Sequence, residues 1–141
     1  MRAVPEPTIS WETDEFHPVH SSDALRAALV SAGAAAGEPL IVSLEAGGAT
    51  LTHVVGDPSG SSLVFFPADY KNAGVGSMHS IGDRAMREAD VSEPLQIAYM
   101  NGHYSELPRW MVVPVHVAEE AMREFLATRG ALPSGIEWEM D

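Results

Sequence analysis

Two periodicities share this chain. From Val117 to Leu126 the apolar positions recur every third or fourth residue: Val117, Ala121 and Phe125 form one row and Ala118, Met122 and Leu126 the next. Glu119, Glu120, Arg123 and Glu124 fall on the other side, so the stretch predicts an amphipathic helix. Glu119 and Glu120 lie near the positive end of its dipole, and Glu119 stands one turn from Arg123. Gly130 is placed for the left-handed position behind the last turn, and Pro133 forbids continuation. A second helix is predicted earlier. Ser21, Ser22 or Asp23 supplies a capping oxygen, Leu25, Ala28, Leu29 and Ala32 make a narrow apolar face, and Gly37 with Pro39 stops it.

Elsewhere the period is two. Leu40, Val42 and Leu44 alternate with Ser43 and Glu45, Gly47-Gly48 turns the chain, and Leu51, His53 and Val55 alternate with Thr50 and Thr52. Asp57-Pro-Ser-Gly60 is a further turn, after which Leu63 to Phe66 is apolar on both faces and therefore predicted to be central. Leu95 to Tyr99 and His103 to Leu107 flank Asn101-Gly102, a pair suited to a tight hairpin. Trp110 to Val113 reads as a buried strand ended by Pro114. Ile136, Trp138 and Met140 alternate with Glu137, Glu139 and Asp141, a strand with one buried and one carboxylate face and with Trp138 largely buried. Thr8 to Glu12 adds a short edge strand with Trp11 turned inward, behind a loose lead-in at 1–7. Residues 68–93 read as a long irregular loop with at most a short helix at Arg84 to Glu88. The expected fold is α+β: a mainly antiparallel sheet of about six strands with two helices packed on it.

Composition narrows this picture. The 141 residues suit a single domain, and neither a membrane-length apolar run nor the apolar core of a signal peptide is present. Cysteine is absent, so a disulfide framework, a thiolate nucleophile and a cysteine zinc site are all excluded. A cytoplasmic location is expected. Eight basic residues against 20 acidic ones give a net charge of −12, which repels nucleic acid and anionic lipid and attracts basic proteins. The plainer consequence of such charge is solubility.

Candidate chemistry is sparse. Gly56 to Ser62 lacks the Gly-Lys-Ser/Thr ending of a phosphate loop, and Gly74-Val-Gly76 has His79 where a dinucleotide fingerprint needs its third glycine. None of the six histidines has the spacing of a helical metal pair. His53 and Asp57, on an extended segment, would be about 13 Å apart. No cofactor or metal is expected. Trp11, Trp110 and Trp138 fit core packing, and Glu119-Glu120 a solvated helix face.

The ending carries a resemblance. The Val113-Pro114-Val115 strand exit, the helix pattern of Ala118, Ala121, Phe125 and Leu126, then Thr128, Gly130, Pro133 and Ile136-Glu-Trp-Glu139, resemble the first-described class of immunity proteins of bacterial polymorphic toxin systems. The strand and turn from Leu51 to Gly60, with Leu63 to Phe66 behind it, fit the same pattern. The resemblance implies a small α+β antitoxin that binds and blocks a cognate toxin, often a nucleic-acid deaminase. A deaminase needs a basic groove for its substrate, and an acidic protein competes for such a groove. The partner-binding candidates are the carboxylates Asp69, Asp83, Glu88, Asp90, Glu137, Glu139 and Asp141, with Tyr70, Met78 and Tyr104 as anchors. A second reading stays open: a small enzyme with a site built from the 68–93 loop, using His79, His103 or Asp83 as acid or base.

Overall fold

In the computed structural model, which describes residues 6–11, 16–35, 37–68, 76–100 and 103–140, the period-two segments form one sheet. Its strands run β2-β1-β3-β4-β5-β6-β9, with a β7–β8 hairpin attached to β3 off this path. The ranges are β1 Thr8–Ser10, β2 His17–Pro18, β3 Leu40–Ala46, β4 Ala49–Val55, β5 Leu63–Phe66, β6 Met78–Ile81, β7 Gln96–Met100, β8 His103–Leu107 and β9 Glu137–Met140. All pairings are antiparallel except the contact of β7 with β3, made at Leu40↔Tyr99. The helices are α1 Ser22–Ala35, α2 Arg84–Glu88 and α3 Val115–Ala127, and a 3-10 turn covers Arg109–Met111.

The core lies between the sheet and the two long helices. Alternation in β3 and β4 sends Val42, Leu44 and Leu51 inward, and the register Leu51↔Phe65 and His53↔Leu63 continues that face into β5. Against it α3 buries Ala118, Ala121, Met122, Phe125 and Leu126, the two predicted rows apart from Val117, which is half-buried. Full burial of Met122, Phe125 and Leu126 contributes roughly 1.5 to 3 kcal/mol each. Helix α1 adds Leu25 and Ala32 to the same cluster, and Ser21 Oγ accepts from the Ala24 amide at 3.1 Å, which makes Ser21 its cap. The Gly47-Gly48 turn needs positive φ at both residues, 59° and 83°, which explains the glycine pair.

Strand β5 lies between β4 and β6, as its two apolar faces predict. Leu63 and Phe65 point to the helices, while Val64 packs with a smaller cluster of Ile81, Trp110 and Met111 on the other side.

Several expectations change. Among the described residues the sheet has nine strands instead of about six, while the short helix allowed at Arg84 to Glu88 forms as α2 beside the two long ones. The second half of 68–93 is not loop: β6 pairs with both β5 and β9, and α2 follows it. Four residues of β6 are too few for a pattern to show, and the strand owes its existence to its neighbours. Trp110 to Val113 is not a strand. Trp110 and Met111 lie in the 3-10 turn, only Val113 makes a bridge, to Ser61, and the Gly82 and Asp83 amides donate to the Trp110 carbonyl. Gly82 permits this approach, since a Cβ there would lie 1.7 Å from Val112 O.

Behind α3 two successive residues have positive φ, Arg129 at 59° directly after the C-cap Thr128 and the expected Gly130 at 107° one place later. Gly130 donates to Phe125 O and passes so close to Ala46 O that a side chain would collide. Arg123 meets Glu120 at 3.4 Å, not Glu119. Trp138 is half-buried, packing on Phe65 with Nε1 donating to Pro133 O, and Met140 is 57% exposed because β9 borders the sheet. The Asn101-Gly102 turn lies outside the described residues, although β7 and β8 pair on either side of it.

Candidate interaction surfaces

The first candidate surface is the border formed by β9 and α2. Successive odd positions of β9 present Glu137 and Glu139 on one side, and α2 presents Arg84 and Arg87 one turn apart. Arg84 Nε donates to Glu137 Oε1 at 2.8 Å, and a second guanidinium nitrogen contacts the same oxygen. Arg87 Nη2 donates to Glu139 Oε1 at 2.6 Å, while its guanidinium carbon sits 4.8 Å from the centre of the Trp110 ring. The Arg87 hydrogen bond holds the Glu139 carboxyl below its ordinary value, and the Glu137 hydrogen bond raises the Arg84 guanidinium. These two carboxylates, expected to face a partner, are engaged within the chain. Sign-matched spacing was the available signal: two arginines one helical turn apart and two glutamates two strand residues apart.

Asp83 also has an internal role. Its side chain accepts from the Met86 amide at 3.0 Å and caps α2. Glu88 and Asp90 are exposed at the other end of that helix, and Asp90 has φ 55°. Met78 is half-buried, opposite Phe65 and Met140 in the sheet. Asp69, Tyr70 and Asp141 lie outside the described residues.

The second candidate is a groove of about 550 Å³ between α1, α3 and the end of β4. Leu25, Leu29, Val54 and Val55 line it together with His53, and its wall also includes Arg26, Arg123, Asp23, Asp57 and Glu119. His53 is 3% exposed, and burial lowers its pKa to about 4, so the imidazole is neutral at neutral pH. Its Nδ1 lies 3.1 Å from Ser61 Oγ, which also accepts from the Val54 amide at 2.8 Å and donates to Ser62 O. Gln96 braces the adjoining turn: Oε1 accepts from the Ser62 amide, and Nε2 donates to Gly60 O and Asp57 Oδ2. Partial burial pushes the Asp57 carboxyl up, but hydrogen bonds from Ser59 and Gln96, with Arg109 nearby, outweigh it and leave the carboxyl below its ordinary value. The sequence held no sign of the Gln96 brace, since its partners lie more than 30 residues away.

The acid–base residues of the enzyme reading do not gather in this groove, whose lining includes none of His79, Asp83 and His103. His79 is on β6 beside Trp110 with ring centroids 5.2 Å apart, and His103 is exposed at the start of β8. Among the described residues no three His, Asp or Glu side chains are grouped to hold a metal ion.

The third candidate is the β7–β8 hairpin. Ile97 is paired opposite Glu106 and Tyr99 opposite Tyr104, so these four share one face. Tyr104 is 59% and Ile97 43% exposed. This places the predicted anchor Tyr104 on an open apolar and aromatic patch.

The sequence matches the family described as Immunity protein Imm1 over residues 10–140. The chain belongs to the Imm1 family of immunity proteins. No curated protein and no solved structure matches it. For an Imm1 protein the surfaces that matter are those offered to a toxin, and the three differ in what they leave available. At the β9 border arginines hold the carboxylates, the groove is apolar with both arginines and carboxylates in its wall, and the hairpin is apolar, aromatic and acidic. Among the described residues no helix is long and apolar enough to cross a membrane.

Proposed function

We propose that this Imm1 protein is a single-domain cytoplasmic antitoxin that binds a toxin encoded beside it in a polymorphic toxin system. The toxin is a nucleic-acid deaminase, and binding blocks its active site or substrate groove. The observation that carries the reading is the family match across nearly the whole chain. A net charge of −12 supports it: a deaminase holds its substrate's phosphates in a basic groove, and an acidic protein is attracted to that groove and repelled by the nucleic acid itself. Inhibition by occlusion needs no catalytic residue, metal or cofactor in the inhibitor. The toxin-facing candidates are Glu88, Asp90 and Tyr104, which are exposed, together with Asp69, Tyr70 and Asp141; Met78, Asp83, Glu137 and Glu139 have less support because each is packed or bonded within the chain. The enzyme alternative has little support for a related reason, since Asp83 caps α2 and His103 stands apart on β8.

The test is co-expression and co-purification with the neighbouring toxin domain, followed by a deamination assay on single-stranded DNA and RNA. The expected result is an equimolar complex without deaminase activity. A toxin that stays fully active beside a folded excess of this protein would overturn the reading.

A further inference from the structure

Three strands border the sheet, and the borders differ in what lies against them. β2 is two residues long. β9 is tied to α2 through the two arginine–glutamate pairs. β8 is five residues long, pairs with β7 alone, and has nothing hydrogen-bonded to its outer side among the described residues. Soluble proteins blunt such edges with lysine, proline or a bulge, because the unpaired amides and carbonyls are a template for another strand. β8 has none of these: it reads His103-Tyr104-Ser105-Glu106-Leu107, in unbroken register with β7 from Gln96↔Leu107 to Met100↔His103.

Chemistry beside the edge points to the kind of strand it accepts. Ile97 and Tyr104 are exposed on one face, Tyr99 backs Tyr104 with ring centroids 5.9 Å apart, and Glu106 on the same face has no ion-pair partner among the described residues. From Leu95 to Leu107 there is no lysine or arginine, whereas the groove wall carries Arg26 and Arg123 and the β9 border Arg84 and Arg87. Of the three surfaces, the hairpin alone offers a basic partner backbone groups, apolar anchors and an unneutralised carboxylate together.

We infer that the toxin is held by strand addition, an extended basic segment of the toxin pairing with the open edge of β8 while its side chains cover Ile97 and Tyr104 and a lysine or arginine meets Glu106. This rests on the antitoxin reading and adds to it the place and mode of contact. Aromatic anchors beside a paired edge give affinity, and the charge of the chain speeds encounter.

The experiment titrates a catalytically inactivated toxin domain with wild type, with Ile97→Lys and Tyr104→Lys on the hairpin, and with Val30→Lys on α1 and Met140→Lys on β9 as controls at comparably exposed apolar positions. Thermal midpoints establish that each variant is folded, and amide hydrogen exchange is followed free and bound. The expected result is a loss of about 100-fold in affinity for the hairpin variants, controls within about threefold of wild type, and slowed exchange of alternate β8 amides in the complex. Hairpin variants that bind like wild type, with β8 amides unchanged, would overturn the surface and leave the antitoxin reading intact. Lost affinity without slowed β8 amides would overturn strand pairing. Wild type that neither binds nor protects would overturn both readings. Self-association of wild type abolished by Tyr104→Lys would assign the edge to a second copy of this chain and also overturn the proposal.

Discussion

The two sides of the sheet are held by different physics. Under α1 and α3 the contacts are apolar and numerous: Phe125, Met122, Leu25, Leu44, Leu51 and Leu63 are all at most 1% exposed. Around α2, the 3-10 turn and the β6–β9 border the apolar cluster shrinks to Ile81, Trp110 and Met111 with a few partly buried neighbours. There single polar groups do the joining. Ser80 Oγ accepts from the Leu63 amide at 3.0 Å and donates to Met111 O at 2.7 Å, and Arg84 and Arg87 tie α2 to β9. Area is non-directional and resists small changes, whereas a hydrogen bond is lost whole when one partner goes.

Phe125→Ala puts the greatest load on this contrast. It should cost roughly 3 to 5 kcal/mol through lost burial and the cavity left against Phe65. A urea midpoint unmoved by the change would show that the helical side is not the stronger one. Next comes pH, because His53 is a polar group inside the apolar side. Its ordinary value is 6.5 and its folded value about 4, so between these the unfolded chain binds more protons and stability rises with pH. The contribution is full above about pH 6.5 and falls by roughly 3 kcal/mol toward pH 4. Asp57 and Glu139, held below their ordinary values, add to the loss at lower pH as they are protonated. In a denaturation series across pH, His53→Leu should flatten the dependence between 6.5 and 4, and an unchanged slope would assign it to other groups.

On the directional side, Ser80→Ala leaves the Leu63 amide and Met111 carbonyl without the hydroxyl and should cost about 1 to 3 kcal/mol. Hydrogen exchange should quicken at Leu63 before it does at Leu51; equal protection at both would erase the distinction. Glu139→Gln should have the smallest effect, since the pair is partly exposed to water. Its signature is salt dependence: the difference in denaturation midpoint from wild type should vanish at high ionic strength, and a difference that persists would mean that packing, not charge, ties Arg87 there.

What was legible in the sequence follows the same division. The α3 stripe, the Gly47-Gly48 hairpin and central β5 were all readable, because burial by area writes itself into period and each element is long enough to show one. β6 was not, since Met78 to Ile81 becomes a strand only through partners at 64–65 and 137–140. Nor was the 3-10 turn at Trp110, whose residue types suit a strand while the carbonyl is taken by the Gly82 and Asp83 amides. At the candidate surfaces the sequence identified carboxylates but not their neighbours. Glu106 and Glu139 look alike as letters, yet one is open to a partner and the other already has one.

The pairing of β6 with β9 also has a consequence for synthesis. Met78 is made long before Met140, so while the chain is growing one side of β6 is joined to β5 and the other stands bare, with Arg84 and Arg87 lacking their carboxylates. An unpaired strand edge beside exposed apolar surface is the kind of species that sticks to its neighbours on a crowded polysome. Speed in the last stage of translation therefore bears on yield: a pause between α3 and β9 prolongs the vulnerable state, and a message truncated before Glu137 leaves it permanent.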